Sequence, residues 1–129
     1  MPNLNVLGTE LENCSLEPVT GWFRDGACST APDDVGSHTI CAVVTREFLD
    51  HQLAIGNDLI TPVPEFRFPG LHPGDRWCVT ARNWLRSHQD GAAAPVVLAA
   101  THEQATDIVL LEILEEYAVD VPDDPGGLG

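Results

Sequence analysis

Hydrophobic positions twice form a short apolar run that is followed by a stripe at helical spacing. The first run is 39–44 (TICAVV), and its β-branched residues predict a buried strand. Thr45 then offers an N-cap side chain, Phe48 begins an apolar helical stripe, and Gly56 suits the end of a helix. Residues 39–55 therefore predict a strand followed by a helix.

The same order recurs after a long loop. Residues 77–79 form the second apolar run, within a strand predicted over 76–79, and a helical stripe begins at Ala81 and stops at Gly91. Residues 95–100 (PVVLAA) predict a further strand. Together, 76–100 would form a β-α-β unit, whose crossover is expected to be right-handed.

The flanking segments predict less regular structure. Residues 4–7 suit an edge strand, and Trp22–Phe23 is expected to anchor a loop on the core, because large aromatic side chains bury much apolar area. Thr101 can cap a short helical turn. Residues 108–110 fit either a last short strand or the start of the helix that is predicted over 111–118.

A loop rich in proline and glycine, residues 56–78, connects the two strand–helix pairs. Proline fixes φ and removes a backbone donor, whereas glycine opens positive φ, so this segment is expected to follow one constrained, ordered path. The whole pattern predicts a compact single α+β domain over 1–120, with a mixed β-sheet and two or three helices. Residues 121–129 (VPDDPGGLG) are expected to form a flexible acidic tail.

Acidic residues dominate the charge of the chain. The 129 residues include 20 acidic and six basic ones, for a net charge of −14, and all six basic residues are arginine. This balance argues against nucleic-acid binding, which needs a basic surface. The absence of lysine favours halophilic adaptation to a salty cytoplasm over an acidity that serves solubility alone.

Targeting and cofactor motifs are missing from the sequence. The N-terminus shows no basic region followed by an apolar run, and no stretch approaches the roughly 20 apolar residues of a membrane span. A cytoplasmic protein without membrane association is therefore expected. The chain has no glycine-rich phosphate loop, no G-x-S-x-G and no H-E-x-x-H, so no cofactor is predicted.

The sequence context of the four cysteines favours a buried structural role over a role in catalysis or metal binding. Cys41 and Cys78 lie inside apolar strands and are interpreted as small buried hydrophobes. No pair has C-x-x-C spacing, so a metal would need ligands from distant segments. The candidates for such a site are Cys14, Cys28, His38 and Cys41. A Cys14–Cys28 disulfide is an alternative that a reducing cytosol disfavours.

Polar residues bracket the central loop. Asn57 and Asp58 lie at its start, and Asp75 and Arg76 lie near its end, where a carboxylate and a guanidinium could converge on a ligand. The alternative is loop architecture, with Asp58 in an Asx-type turn and Arg76 tying loop carbonyls or a carboxylate together. His102 follows a predicted strand, in the place where functional residues gather in α/β sheets.

Six parts of the chain form a recognisable set. They are NVLGTEL (5–11), Cys14, PVTGWFRDGAC (18–28), HTICAVVTREFL (38–49), GNDLITPVPEFRFPGLHPGDRWC (56–78) and APVVLAATHE (94–103). The set resembles the domain-of-unknown-function family 2237, small proteins of bacteria and some eukaryotes. This resemblance spans nearly the whole chain and implies one compact domain, with no substrate, cofactor or catalytic residue to carry over. Members of that family often read W-C-x-C where this chain has WCVT, so Thr80 argues against a role that needs a vicinal cysteine pair.

Three hypotheses of function follow. The first is a small soluble domain that binds a small molecule or a protein partner, with its site at the 56–78 loop and the 101–103 corner. The second is an enzyme, for example a hydrolase, that uses Cys78 or Cys41 with His102 and Asp58. The third is a metal-stabilised structural protein. The ligand-binding candidates are Asn57, Asp58, Asp75, Arg76, Trp77 and His102.

Overall fold

Short helices and strands joined by long loops make up residues 3–120, the part of the chain that the computed structural model describes. The strands are β1 (Ile40–Val43) and β2 (Arg76–Val79). The helices are α1 (Arg46–Ala54), α2 (Ala81–Gln89) and α3 (Leu111–Glu116). Three 3₁₀ turns span Pro64–Phe66, Leu98–Ala100 and Glu103–Asp107. This content confirms the predicted α+β class and the single domain.

The two strands pair antiparallel and form the sheet of the domain. Cys41 lies opposite Cys78, and Ala42 lies opposite Trp77. Val96 adds one antiparallel bridge to Ala42 and one parallel bridge to Ala118. The regular sheet is therefore antiparallel, and it is extended on the β1 side by isolated bridges.

The predictions of a strand over 95–100 and of the β-α-β unit that includes it were wrong. After Val97 the backbone enters the 3₁₀ turn Leu98–Ala100. The carboxylate of Asp120 accepts hydrogen bonds there from the N–H groups of Leu98 (2.8 Å) and Ala99 (2.9 Å). Those two donors cannot also serve a strand ladder, because each backbone N–H makes one strong hydrogen bond.

Both longer helices begin at a capping threonine. The Thr45 hydroxyl accepts from the N–H of Phe48 at 3.1 Å, as predicted, and the Thr80 hydroxyl accepts from the N–H of Asn83 at 3.1 Å. Such a cap satisfies one of the free donors at a helix start and contributes about 1 kcal/mol. The recurrence seen in the sequence is thus present in the structure as β1-α1 and β2-α2.

Trp84, on α2, lies at the centre of the hydrophobic core. Its side chain is fully buried, and its indole Nε1 donates to the carbonyl of Ala94 at 2.9 Å. Its ring stacks on His88 and meets Tyr117 edge to face. The surrounding core includes Ile40, Phe48, Leu49, Val96, Leu98 and Leu114. This core packs both strand–helix pairs against the C-terminal turns.

Two disulfides join the N-terminal loop to the sheet. Cys14 is bonded to Cys41 on β1, and Cys28 is bonded to Cys78 on β2. All four side chains are buried. The interpretation as small buried hydrophobes was right about burial and wrong about chemistry, and the pairing of residues 14 and 28 does not form. The reason is that the loop crosses both strands, which places each of its cysteines against a different strand.

The segment between the disulfides, residues 15–27, is called the clamped loop below. Inside it, the Thr20 hydroxyl accepts from the backbone N–H of Cys78 at 2.8 Å. The expectation that Trp22–Phe23 anchors this loop was wrong, since the two side chains are 39% and 55% exposed. Covalent bonds and Thr20 already fix the loop, so the aromatic pair is free to stand at the surface. Gly21 has a φ of 103°, and a Cβ there would collide with a backbone oxygen across the turn.

The central loop follows the ordered path that its prolines and glycines predict. An antiparallel bridge between Val63 and Phe68 closes a hairpin around the Pro64–Phe66 turn. Gly70 has a φ of 79°, and a Cβ at this position would collide with the carbonyl of Ile60. Glycine is therefore required where the loop folds back on itself.

The remaining segments depart from prediction in detail. Residues 108–110 form neither a strand nor part of a helix, and α3 begins directly after them. His102, and not Thr101, caps the turn Glu103–Asp107. Within 4–7, only isolated bridges replace the expected edge strand.

The predicted tail, 121–129, lies outside the described residues. Between residues 3 and 120, no helix has the length and apolar character that crossing a bilayer requires.

Candidate functional site

A cavity of about 440 Å³ opens between the clamped loop and the central loop, and we call it the aromatic pocket. Its lining is mainly aromatic and aliphatic, with three ionisable side chains among the apolar ones. The aromatic residues are Trp22, Phe66, Phe68 and Trp77, and the ionisable residues are Arg24, His38 and Asp58. These side chains come from three loops and from β2, so folding brings together parts of the chain that lie far apart in sequence.

Arg24 supplies the permanent positive charge of the aromatic pocket. Its guanidinium carbon lies 4.9 Å from the centroid of the Trp77 ring, which is a cation–π contact. Partial burial against this ring lowers the pKa of Arg24, although a guanidinium remains charged at any physiological pH. Among residues 3–120, no carboxylate lies within ion-pair distance of Arg24. The pocket thus contains a cation that forms no ion pair within the described chain, although the carboxylate of Asp58 also lines this pocket.

The backbone of the clamped loop fixes the position of Arg24. Arg24 has a φ of 55°, in the left-handed region, and its N–H donates to the carbonyl of Gly21 at 3.0 Å. A non-glycine residue held in this region costs about 1–3 kcal/mol. The turn is therefore maintained by its surroundings, namely the two disulfides and Thr20.

His38 is held by a buried carboxylate next to the pocket. Its Nδ1 lies 2.6 Å from Oδ1 of Asp34, whose side chain is fully buried. Asp34 also accepts from the backbone N–H of His38 (2.8 Å) and from the hydroxyl of Thr30 (2.9 Å). The centroids of the Trp22 and His38 rings lie 5.5 Å apart. His38 therefore presents an oriented imidazole to the aromatic pocket and does not gather with the cysteines as a metal ligand.

Asp58 reaches the same pocket from the central loop. Its Oδ1 accepts from the backbone N–H groups of Ile60 (2.8 Å) and Thr61 (3.0 Å), which is an Asx-type turn. Hydrogen bonding from the Thr61 side chain, and then from these backbone groups, lowers the pKa of Asp58. Its neighbour Asn57 donates to Oε1 of Gln52 at 2.8 Å and so ties the loop to α1.

Of the three candidates at the end of the loop, only Trp77 lines the aromatic pocket. Its buried ring meets Phe68 edge to face at 5.1 Å. Asp75 accepts from the backbone N–H of His72 at 2.9 Å, which is a local turn contact. Arg76 is exposed at the start of β2 and forms no ion pair within residues 3–120, so the expected tie to a carboxylate is not made.

His102 does not line the aromatic pocket. Its Nδ1 accepts from the N–H of Gln104 at 3.0 Å, and its Nε2 lies 3.3 Å from Oδ1 of Asn3. Burial lowers the pKa of His102, and the nearby Glu103 carboxylate opposes this shift. Glu103 lines a separate polar groove together with Asn5. The two halves of the predicted site, the 56–78 loop and the 101–103 corner, therefore open onto different cavities.

The cysteine candidates lie in one cluster behind the pocket. Cys78 is bonded to Cys28, so in this form it offers no thiolate, and the constellation of Cys78 with His102 and Asp58 is not assembled. The Sγ atoms of Cys14, Cys28 and Cys78 all lie within 4.8 Å of one another. Cys78 also lines the aromatic pocket, which places the sulfur cluster directly behind its wall.

Sequence reasoning did not propose Arg24 and Phe66, which line the pocket, or Asp34, which holds His38 beside it. A signal for Arg24 exists, since it is one of only six basic residues and lies between two glycines in GWFRDG. A signal for Asp34 also exists as an acidic residue four positions before a histidine. Nothing local marks Phe66, whose 71% exposure depends on the path of the central loop.

Fold and site together define a small α+β domain whose irregular loops are cross-linked to a two-stranded sheet and enclose an aromatic pocket. The chain belongs to domain-of-unknown-function family 2237, described as an uncharacterized protein conserved in bacteria, whose sequence pattern matches residues 4–118. The resemblance drawn from the six motifs is thereby confirmed. A comparison with curated proteins gives no match.

Proposed function

We propose that this chain is a small-molecule-binding domain whose ligand has an aromatic or otherwise apolar body and one anionic group. The observation that carries the proposal is the position of Arg24, a cation without an acidic partner among residues 3–120, over Trp77 in an apolar cavity. Charge-assisted hydrogen bonds to an anion are about twice as strong as neutral ones. An anionic group on the ligand would thus form the ion pair that Arg24 does not form within residues 3–120.

The size and surface of the aromatic pocket support the same proposal. Its volume of about 440 Å³ falls within the range of roughly 300–1,000 Å³ that is common for small-molecule sites. Trp22 and Phe66 stand partly exposed at its edge, with 39% and 71% of their areas accessible. A bound molecule that covers both side chains would explain this exposure better than chance exposure of two unrelated surface residues.

The net charge of −14 narrows the kind of ligand further. A strongly acidic protein repels anions at long range, so an anionic ligand must be attracted by a local contact. Arg24 provides that contact, and the aromatic walls supply the apolar area. Polyanions such as nucleic acids would meet the repulsion without a basic surface to offset it.

The test compares a carboxylate with its neutral amide in the same pocket. Indole-3-acetate and indole-3-acetamide are titrated into the protein, and the indole N–H signals of Trp22 and Trp77 are followed by NMR, with the buried Trp84 as internal reference. We expect the carboxylate to bind about 10-fold more tightly, a difference of about 1.4 kcal/mol. Arg24→Gln should abolish this preference, because the cation is lost while the aromatic walls remain.

Arg76→Gln is the matched control, since it removes an exposed arginine outside the pocket. It should leave the preference for the carboxylate unchanged. The proposal fails if neither compound shifts the Trp22 and Trp77 signals, or if Arg24→Gln keeps the preference for indole-3-acetate.

A second candidate function is general-base catalysis by His38. The carboxylate of Asp34, 2.6 Å from Nδ1, orients the imidazole, as in other carboxylate–histidine pairs. Hydrolysis of a p-nitrophenyl ester would test it. Saturable hydrolysis that His38→Gln removes and that Asp34→Asn lowers would favour an enzyme, whereas hydrolysis no faster in the wild type than in His38→Gln would leave only binding.

A further inference from the structure

Three of the four buried cysteine sulfurs lie close together, and the fourth is bonded to one of them. Two disulfides require only that cysteines approach in pairs, yet the Sγ atoms of Cys14, Cys28 and Cys78 all lie within 4.8 Å of one another. The fourth sulfur, that of Cys41, is bonded to Cys14 and so belongs to the same cluster. The exposed fraction of each cysteine is 4% or less. The approach of the Cys14 sulfur to the Cys28–Cys78 bond is a property that pairwise bonding does not explain.

We propose that the reduced chain binds one Zn²⁺ through the thiolates of Cys14, Cys28, Cys41 and Cys78. A tetrahedral Cys₄ site has Zn–S bonds of about 2.3 Å, which places its sulfurs about 3.8 Å apart. Breaking the two S–S bonds would let the bonded sulfurs move apart by about 2 Å. The Cys14 sulfur already lies within 4.8 Å of those of Cys28 and Cys78, and bringing the Cys41 sulfur within reach of these two completes the site. Cys14 and Cys28 lie on loop segments at the two ends of the clamped loop, so the required movement falls on loop backbone more than on the sheet.

The exchange balances in atoms, electrons and charge. Two molecules of a dithiol reductant transfer four electrons and four protons to the two disulfides and become two cyclic disulfides. The four resulting cysteine thiols lose four protons when they bind Zn²⁺, which gives a tetrathiolate complex of charge −2. In the reverse reaction, two molecules of a disulfide oxidant take the four electrons from the thiolates and four protons from water and become four thiols, while the metal is released and both protein disulfides form again.

The same four residues would join the same segments in either state. In the oxidised protein, bonds link the ends of the clamped loop to β1 and β2, and in the reduced protein the metal would link all four at a single point. The clamped loop carries Arg24 and Trp22 into the aromatic pocket. A reducing cytoplasm, the location proposed for this chain, would therefore replace one kind of cross-link with another and keep the pocket in place.

The experiment uses the full chain and Zn²⁺ alone as the probe. Protein reduced with excess dithiol is transferred without oxygen into buffer with one equivalent of Zn²⁺, and the bound metal is measured after gel filtration. We expect one Zn²⁺ per reduced chain, none per oxidised chain, and an X-ray absorption spectrum with four Zn–S bonds near 2.3 Å. Cys28→Ser should weaken binding by at least about 100-fold, because one anionic ligand is lost.

His38→Asn is the matched control, because His38 was a candidate ligand and is held by Asp34 instead. It should leave the stoichiometry and the Zn–S spectrum unchanged. A reduced chain that stays folded by circular dichroism, titrates as four thiols and takes up no metal would overturn the proposal. So would a zinc site with nitrogen or oxygen ligands, or a reduced chain that unfolds and does not refold when Zn²⁺ is added.

Discussion

The domain contains two regions that achieve order by different means. The strand–helix region, residues 39–55 and 76–90, is held by apolar burial around Trp84 and by threonine caps. The clamped loop has no helix or strand and few buried apolar side chains. It is held by two disulfides, by the Thr20 hydroxyl and by backbone hydrogen bonds such as that from the Gly26 N–H to the Thr20 carbonyl (2.8 Å). The aromatic pocket lies where the second region meets the first. From this contrast we expect the core to contribute most of the stability of the fold, and the cross-links to set the geometry of the site in addition to their own contribution to stability.

The largest effect is expected from Trp84→Ala in the strand–helix region. The change removes the central buried ring and leaves a cavity, so the free energy of unfolding should fall by about 3–5 kcal/mol. Urea unfolding followed by circular dichroism measures this value. Trp22→Ala is the control, because it removes a ring of equal size that is 39% exposed, and a loss as large as that of Trp84→Ala would contradict the contrast.

Removing one disulfide should show whether that bond sets the geometry of the aromatic pocket in addition to stabilising the fold. Cys28→Ser with Cys78→Ser opens a loop closed across 50 residues of sequence and should cost about 2–4 kcal/mol. Below its lowered melting temperature, this variant should keep the helical circular dichroism signal and lose the preference of the aromatic pocket for indole-3-acetate. A variant that is destabilised but binds both indole compounds as the wild type does would show that the cross-link does not position Arg24.

Salt is expected to stabilise the whole domain and not one region. With a net charge of −14, repulsion among carboxylates opposes folding, and salt at about 1 M reduces the Debye length to about 3 Å. The melting temperature should therefore rise in KCl, as halophilic adaptation requires. A melting temperature that is unchanged or lower in molar KCl would count against this adaptation.

The smallest effect concerns His102, whose neutral ring caps the turn Glu103–Asp107. Its pKa is lowered in the folded state, so the unfolded chain takes up the proton more readily, and the stability that this group contributes is lost as pH falls below about 6.5. His102→Asn keeps a capping acceptor without this titration. Urea unfolding at several pH values should show a flatter acid limb for His102→Asn, and identical limbs would exclude the assignment.

Local sequence patterns predicted the strand–helix region because the interactions that form it connect residues close together in sequence. The apolar run 39–44 and the cap at Thr45 act on neighbouring residues, so periodicity and capping chemistry are sufficient. The strand expected over 95–100 failed for the opposite reason. Asp120, about twenty positions further on, occupies two of its N–H groups, and no pattern within 95–100 contains that information.

The site was less predictable than the fold for the same physical reason. Asp58 and Trp77 were identified because they lie in one conspicuous loop. Arg24, in contrast, lies on a loop that is held against the sheet by cross-links between residues 27 and 50 positions apart, and His38 is oriented by Asp34. Hydrophobicity also misled the prediction for Trp22, since a large aromatic side chain can line an open cavity as well as a core. Long-range pairing, which cannot be read from one sequence, decided the position of Arg24 in the pocket.

The connectivity of the disulfides also has a consequence for biosynthesis. The two bonds interleave along the chain, since Cys28 lies between Cys14 and Cys41 and pairs with Cys78 beyond them. As the chain leaves the ribosome from its N-terminus, Cys14 and Cys28 emerge with only each other as partners, and the strand that holds Cys78 emerges last. Oxidation that begins too early would therefore join the wrong cysteines. Correct pairing requires that the thiols stay reduced until β2 has been synthesised, or that thiol–disulfide exchange later rearranges the bonds.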